Sequence, residues 1–165
     1  MNKDIKVIGI DPGSQNMGWG IVQESSGVLK LVACGIIRPK AKEFSLRLGE
    51  IFSELIEILK LHKVDEASVE DIFTHKNVSS ALKLGQARGV AIAACALYKL
   101  PVYSFEPRVI KKNLVGNGGA EKSQVSFMVS RLLGVKEDWG VDAGDALAAA
   151  ICHLNSRRMT LLTKR

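Results

Sequence analysis

Four carboxylates at the ends of apolar segments constrain this chain more than any other sequence feature. They are Asp11, Glu70, Asp142 and Asp145. The first two each follow a short apolar run typical of a buried strand, and the last two open an apolar helical segment, VDAGDALAAAI. Acids placed where core elements end predict a site for divalent cations and phosphates, because Mg²⁺ and Mn²⁺ prefer oxygen ligands.

Length and composition predict one domain, 1–165, with its own core and a frayed basic tail over about the last seven residues. A hydrophobic content of 47% excludes a disordered chain. The net charge of +6 favours polyanionic partners such as nucleic acid, although ordinary proteins carry such charge too. Cys34, Cys95 and Cys152 lie in apolar runs without metal-ligand spacing, which predicts buried free thiols. We expect no signal peptide and a cytoplasmic protein.

Hydrophobic periodicity predicts the order βββαβα, then a fifth strand and further helices. The predicted strands cover residues 5–10, 17–22, 28–37, 67–69 and 101–105. The predicted helices cover 44–61, 79–98, a short segment near 109, 121–133 and 141–158. Three antiparallel strands followed by parallel ones indicate an α/β fold with a five-stranded mixed sheet and helices on both faces.

Chain topology predicts that the acids meet. Right-handed crossovers make the fourth strand parallel to the first, and neighbouring strands lie about 4.8 Å apart. Asp11 and Glu70 would then share the sheet edge where α/β folds bind ligands. Asp142 and Asp145 are three residues apart and project from one helix face.

Clustered carboxylates repel one another unless a cation or a proton joins them. Two divalent ions about 3.5–4 Å apart can activate water and stabilise the leaving oxygen of a phosphodiester. A metal-dependent phosphodiesterase is therefore the leading hypothesis. Each acid also has a simpler interpretation: Asp142 as a helix cap, Asp11 as a turn residue before Pro-Gly, and Glu70 as a surface acid at a strand end.

Several other side chains near these acids could contact nucleic acid. Phe73 and Lys76 lie in the loop segment DIFTHKN, where an exposed aromatic could stack on a base; Phe73 could equally anchor the loop to the core. Lys111, Lys112 and Lys122 flank the loop GNGG, whose backbone amides could hold phosphates. A merely solvated basic face is the alternative.

Small residues recur at four-residue steps in the helix 79–98, at Ala81, Gly85, Gly89 and Ala93. Such a stripe lets another backbone approach closely. It could pack on the chain's own sheet or on the same stripe of a second subunit, and a twofold dimer would match a symmetric substrate.

The segments GIDPGS, VEDIFTHKN, SALKLGQARGVAIAA, VGNGGAEKSQV and DAGDALAAAI together resemble the RuvC family of Holliday-junction resolvases. The resemblance covers residues 5–153. It implies an RNase H-like fold and a homodimer that nicks four-way DNA symmetrically with Mg²⁺. The chemistry of clustered carboxylates adds the expectation that Mn²⁺ can substitute and that each subunit holds two ions. The resemblance also implies cooperation with the RuvA–RuvB branch-migration complex.

The resemblance assigns roles to individual residues. The family's catalytic and metal-binding acids correspond to Asp11, Glu70, Asp142 and Asp145, its stacking aromatic to Phe73, and its important lysines to Lys111 and Lys122. Two positions depart from the usual pattern. Gly144 replaces an alanine, which should loosen the helix start slightly, and Asp71 replaces an amide, which adds negative charge beside the site.

Two alternatives remain open from the sequence. A basic dimer could bind four-way DNA without cutting it, although a pure binder has no use for four acids facing a phosphate. An actin-like phosphotransferase is suggested by IGIDPGS alone, but that fold normally repeats the motif in a second domain, for which 165 residues leave no room.

Overall fold

The computed structural model describes residues 4–72 and 77–163 and contains one sheet and five helices within them. The strands are β1 Ile5–Asp11, β2 Met17–Ser25, β3 Val28–Ile37, β4 Glu66–Glu70 and β5 Val102–Phe105. The helices are α1 Phe44–His62, α2 Val78–Leu97, α3 Pro107–Val115, α4 Lys122–Leu133 and α5 Val141–Thr163. The order of strands and helices along the chain is the predicted one.

The sheet has the strand order β3-β2-β1-β4-β5. The first three strands form an antiparallel meander, whereas β4 pairs parallel with both β1 and β5. One apolar cluster joins the sheet to α3, α4 and α5, and a second joins its other face to α1 and α2. The predicted five-stranded mixed sheet with helices on both faces is therefore confirmed.

The central strand β1 is covered on both faces, as its nearly continuous apolar sequence predicts. Val7, Ile8 and Ile10 are inaccessible to solvent. In register, Asp11 pairs with Gly18 of β2, and Ile10 pairs with Val69 of β4. Because β4 ends one residue later, Glu70 emerges at the same sheet edge as Asp11.

α5 lies unusually close to the sheet because glycines on β1 and β2 leave room for its backbone. A Cβ atom on Gly9 would lie 1.8 Å from the carbonyl oxygen of Ala146, and one on Gly18 would lie 1.9 Å from that of Asp142. The Ser68 hydroxyl on β4 donates a 2.8 Å hydrogen bond to the carbonyl of Ala149. The start of α5 is thereby held against the sheet edge that carries the strand-end acids.

Two expectations need adjustment. α5 continues as a helix to Thr163, into the segment where fraying was predicted, and Arg157 and Arg158 form ion pairs with Glu66 and Glu24. Of the three free thiols, Cys95 and Cys152 are buried as expected, whereas Cys34 is only half-buried. Among the helices in the described parts of the chain, none combines the length and apolarity needed to cross a bilayer.

We expect Gly18→Ala to destabilise the protein by about 1–3 kcal/mol, because its methyl group must displace the backbone of α5. Urea unfolding followed by circular dichroism measures this. Gly49→Ala is the matched control: no atom lies within 4 Å of a Cβ there, and the position is inside α1. That substitution should raise stability by up to about 1 kcal/mol. Equal effects at the two positions would contradict the close packing of α5.

Candidate active site

The sheet edge brings Asp11 and Glu70 side by side. Both end neighbouring parallel strands, which are about 4.8 Å apart at the backbone. Both side chains are half-buried, and the charge of Glu70 raises the pKa of Asp11. The predicted meeting of these two acids is present in the structure.

The first turn of α5 adds Asp142 and Asp145 to the same cluster. The close approach at Gly18 places this turn over the end of β2, next to β1. The charges of both aspartates act on Asp11, and that of Asp145 also acts on Glu70. All four predicted acids thus gather at one edge of the sheet, although they come from three separate elements.

Burial and mutual repulsion raise the pKa values of the two strand-end acids. The pKa of Asp11 rises to about 8, first through desolvation and then through the charges of Glu70, Asp145 and Asp142. The pKa of Glu70 rises to about 7, again mainly through burial and then through Asp145. At neutral pH, Asp11 therefore keeps a proton unless a cation compensates the cluster.

Lys122 supplies one such cation. Its ammonium group donates a hydrogen bond to Asp145 Oδ2, and its pKa is raised by that bond and by the surrounding carboxylates. A capping box fixes the start of α4: Glu121 accepts from the N3 backbone N–H, and the Gln124 side chain accepts from the Glu121 N–H at 2.9 Å. This local geometry determines where Lys122 enters the site.

Lys111 on α3 approaches the cluster from the same side. With Glu70, Lys122 and Asp145 it lines a cleft between α3, α4 and α5, and its charge opposes the rise in the pKa of Glu70. Lys112 is exposed and is not among the residues that line this cleft. The two lysines named by the family resemblance, Lys111 and Lys122, are therefore the two that face the acids.

The donor set fits a hard divalent cation, because it consists of carboxylate oxygens whose charge is offset in part by two ammonium groups, those of Lys111 and Lys122. Across residues 4–72 and 77–163, no three Asp, Glu, His or Cys side chains are arranged to hold one ion jointly. Lys122 engages Asp145 directly, so a metal ion and this lysine compete for the same carboxylate.

Arg88 is a site residue that the sequence did not reveal. From α2, its guanidinium donates to the carbonyl oxygen of Glu70 at 3.3 Å and to the Ser104 hydroxyl at 2.6 Å. It also pairs with Asp71 at 3.3 Å. Arg88 therefore fixes the backbone from which Glu70 projects and compensates the extra charge of Asp71. Nothing in the spacing of the segment LGQARGV indicates this contact.

Gly144 has a packing role. It is buried, and a Cβ atom there would lie 2.9 Å from Nε1 of Trp139, whose indole covers the first turn of α5. The indole occupies the space that an alanine side chain would need. Its packing on the first turn of α5 offsets the loosening expected from a glycine there. Phe73 and Lys76, the other predicted DNA contacts, lie outside the described residues.

Comparison with known proteins places this chain in a family. The family model of the crossover junction endodeoxyribonuclease RuvC matches residues 7–153. The chain belongs to the RuvC family. The RuvC protein of Oleidesulfovibrio alaskensis is 66% identical over 158 residues, 96% of this chain and 95% of that protein. The RuvC protein of Nitratidesulfovibrio vulgaris is 59% identical, covering 98% of both chains.

Solved structures agree with this assignment. Thermus thermophilus RuvC in complex with a Holliday junction substrate matches with a TM-score of 0.88 and 31% identity, covering 94% of this chain and 96% of that chain. A fowlpox virus resolvase in complex with Holliday junction DNA has a TM-score of 0.60 at 13% identity, covering 91% and 99%, and shares the fold. The predicted RNase H-like fold of the RuvC resolvases is confirmed.

The raised pKa values predict a pH-dependent response to metal. Folded Asp11 keeps its proton up to about pH 8, whereas the unfolded group loses it near its ordinary value of 3.8, so the metal-free fold loses stability as pH rises between these values. A divalent ion that binds Asp11 has to displace that proton, so the rise in Tm on adding Mg²⁺ should be small at about pH 6 and larger at about pH 8.5. Thermal unfolding at both pH values, with Asp11→Asn as the control that lacks this proton, measures the effect. A Tm rise independent of pH would contradict it.

Proposed function

We propose that this protein resolves four-way (Holliday) DNA junctions by paired, symmetric nicks, in DNA recombination and repair. The observation that carries the proposal is the meeting of Asp11, Glu70, Asp142 and Asp145 at one sheet edge beside two lysines. The family assignment supports a nuclease, and the junction complex of the Thermus relative supports this substrate class.

The chain's own groups divide the work. Asp11, Glu70, Asp142 and Asp145 form the negative pocket that binds the cofactor, and each of them is half-buried. Lys122 stays protonated because the carboxylates raise its pKa. It therefore acts as a permanent positive charge and not as a base. A DNA phosphate entering the cleft meets this charge and that of Lys111, which offset its repulsion by the acids.

The cofactor is a divalent metal, which we assign as Mg²⁺ with Mn²⁺ able to substitute, at two ions per subunit. When bound, such ions lower the pKa of an attacking water and stabilise the leaving 3′ oxygen. Occupancy requires Lys122 to release Asp145, because the lysine and the ion compete for one carboxylate.

A homodimer would explain the paired nicks. The stripe lies largely off the buried face of α2: Gly89 and Ala93 are exposed and Ala81 and Gly85 are half-buried. The buried face consists of Ala87, Ala91, Ala94 and Cys95. The exposed Leu82 and Val78 extend this small-residue face toward the helix start. A twin α2 could approach it closely, which places two sites on one symmetric substrate.

Further partners follow from the resemblance. We retain the predictions that Phe73 stacks on a base near the crossover and that Lys76 contacts DNA. Branch migration by RuvA and RuvB would supply the junction, and the protein would act in the cytoplasm.

We expect Asp11→Asn to abolish junction cutting while leaving junction binding intact, because the amide keeps the shape and removes the charge that holds the metal. Nicking of a synthetic four-way junction in Mg²⁺, with binding measured in parallel, tests this. Glu57→Gln on the exposed face of α1 removes the same charge away from the site and should cut normally. Normal cutting by Asp11→Asn would show that the site is misassigned. Tight junction binding without nicks in any metal, by the unaltered protein, would instead favour a non-catalytic binding module.

Leu82→Lys should convert the dimer to monomers, because it places a charge in the apolar face of α2. Sedimentation equilibrium measures the mass. Leu61→Lys is the matched control, since Leu61 is also strongly exposed but lies at the end of α1. If both variants keep the same dimer mass as the unaltered protein, the dimer does not form through this face.

A further inference from the structure

A second basic surface lies at the active-site edge of the sheet, on the flank opposite β4. β3 runs in the same direction as β1, because each is antiparallel to β2, so its last residue, Ile37, emerges at the edge where Asp11 lies. Four cationic residues follow within ten positions. We call them the basic ridge: Arg38, Lys40, Lys42 and Arg47.

Sheet register gives the separation of the ridge from the acids. Asp11 pairs with Gly18, and Gly18 pairs with Ile36. Two strand spacings separate the backbones of Asp11 and Ile36, which is about 10 Å. Arg38 follows two residues later. For a duplex whose axis runs along this edge, phosphates on one strand rise about 3.4 Å each, so this separation corresponds to roughly three nucleotides.

The charges of the ridge are available for an external anion. Arg38, Lys40 and Lys42 are exposed. Among the described residues, no carboxylate forms an ion pair with any ridge member, in contrast to Arg88 and Lys122. Glu50 and Glu54 line the same surface cleft as Arg38 and Lys40, and Glu50 accepts hydrogen bonds from backbone N–H groups of the ridge segment.

Glu50 shapes the ridge. Its Oε2 atom accepts hydrogen bonds from the backbone N–H groups of Lys40 at 2.6 Å and of Ala41 at 3.4 Å. These bonds attach the segment after β3 to α1, because Glu50 belongs to that helix. The adjacent cationic side chains are therefore presented from an ordered backbone, which reduces the entropy lost on binding.

The start of α1 adds further donors to the same place. Its N-cap, Glu43, makes no side-chain capping hydrogen bond, and the first turn contains no acid. The first backbone N–H groups of a helix favour an anion when no side chain satisfies them. Arg47, over the ring of Phe44 at 5.6 Å, keeps a buried Nε without a hydrogen-bond partner in the described structure.

We propose that the basic ridge binds the phosphate backbone of a duplex arm, about three nucleotides from the phosphate that is cut. The ridge is attached to α1 on one face of the sheet, whereas Lys111 and Lys122 belong to α3 and α4 on the other face, so the cut strand would meet cations from both faces. This inference rests on the proposed function, because it assumes that four-way DNA is the substrate.

The test compares two double variants with equal charge loss. Arg38→Gln/Lys40→Gln removes two ridge cations, and Lys30→Gln/Lys60→Gln removes two exposed cations from the opposite end of the sheet. Junction affinity is measured against salt concentration without divalent cations, so that no cutting occurs. The ridge variant should bind roughly 10- to 60-fold more weakly at about 0.1 M salt, with a slope lower by about 1.8, since each phosphate contact contributes about 0.9. The control should keep the slope of the unaltered protein.

Combining the ridge variant with uncharged linkages in the DNA shows which phosphates the ridge contacts. Methylphosphonate linkages, which are uncharged, replace the phosphates about two to four nucleotides from the cut, to bracket the expected separation. They should weaken binding by the unaltered protein but have little further effect on the ridge variant. Additive losses, or a salt slope equal to that of the control, would overturn the proposal.

Failure of the ridge and failure of the nuclease assignment give different results. Junction nicking by the unaltered protein in Mg²⁺ is measured alongside the affinities. If it nicks and the ridge variant binds like the control, the ridge proposal alone is wrong. If it binds the junction through the ridge but never nicks, the nuclease assignment alone is wrong.

Discussion

The approach of α5 to the glycines of β1 and β2 determines where the functional groups of this protein lie. A side chain at Gly9 or Gly18 would overlap the helix backbone, so the distance between helix and sheet depends on their absence. At that distance, the first turn of α5 lies beside the ends of β1 and β4. The acids of three elements therefore meet without any local motif that contains them all.

Bringing four carboxylates together makes their ionisation unfavourable, and nearby positive charges offset only part of this. Burial and repulsion raise the pKa values of Asp11 and Glu70, while Lys122 and Lys111 lower the local excess of negative charge. Protons, an ammonium group and divalent metal ions are thus alternative ways of neutralising one cluster. The exposed side chain of Lys122 can move more easily than a backbone element, which makes it a suitable partner to be exchanged.

Much of the fold and the acid cluster could be predicted from sequence because both depend on strong local signals. Apolar runs identify β1 and β4, and the handedness of the crossover makes them parallel, so Asp11 and Glu70 follow from topology. The contact of Arg88 with Glu70 could not be predicted, since it joins α2 to β4 through a side chain whose direction depends on packing. The helical structure of α5 beyond Arg158 could not be predicted either, because the contacts of Arg157 and Arg158 with the sheet also depend on packing.

The ion pairs of Arg157 and Arg158 with Glu66 and Glu24 affect the position of α5 as a whole. α5 has 23 residues and is about 35 Å long, and it carries Asp142 in its first turn and Arg157 and Arg158 in its second half. The arginines attach it to Glu66 and Glu24, at the sheet edge remote from the acids. A helix attached near both ends is held from sliding, so Arg157 and Arg158 help to set the position of Asp142 and Asp145 at the other end of the sheet.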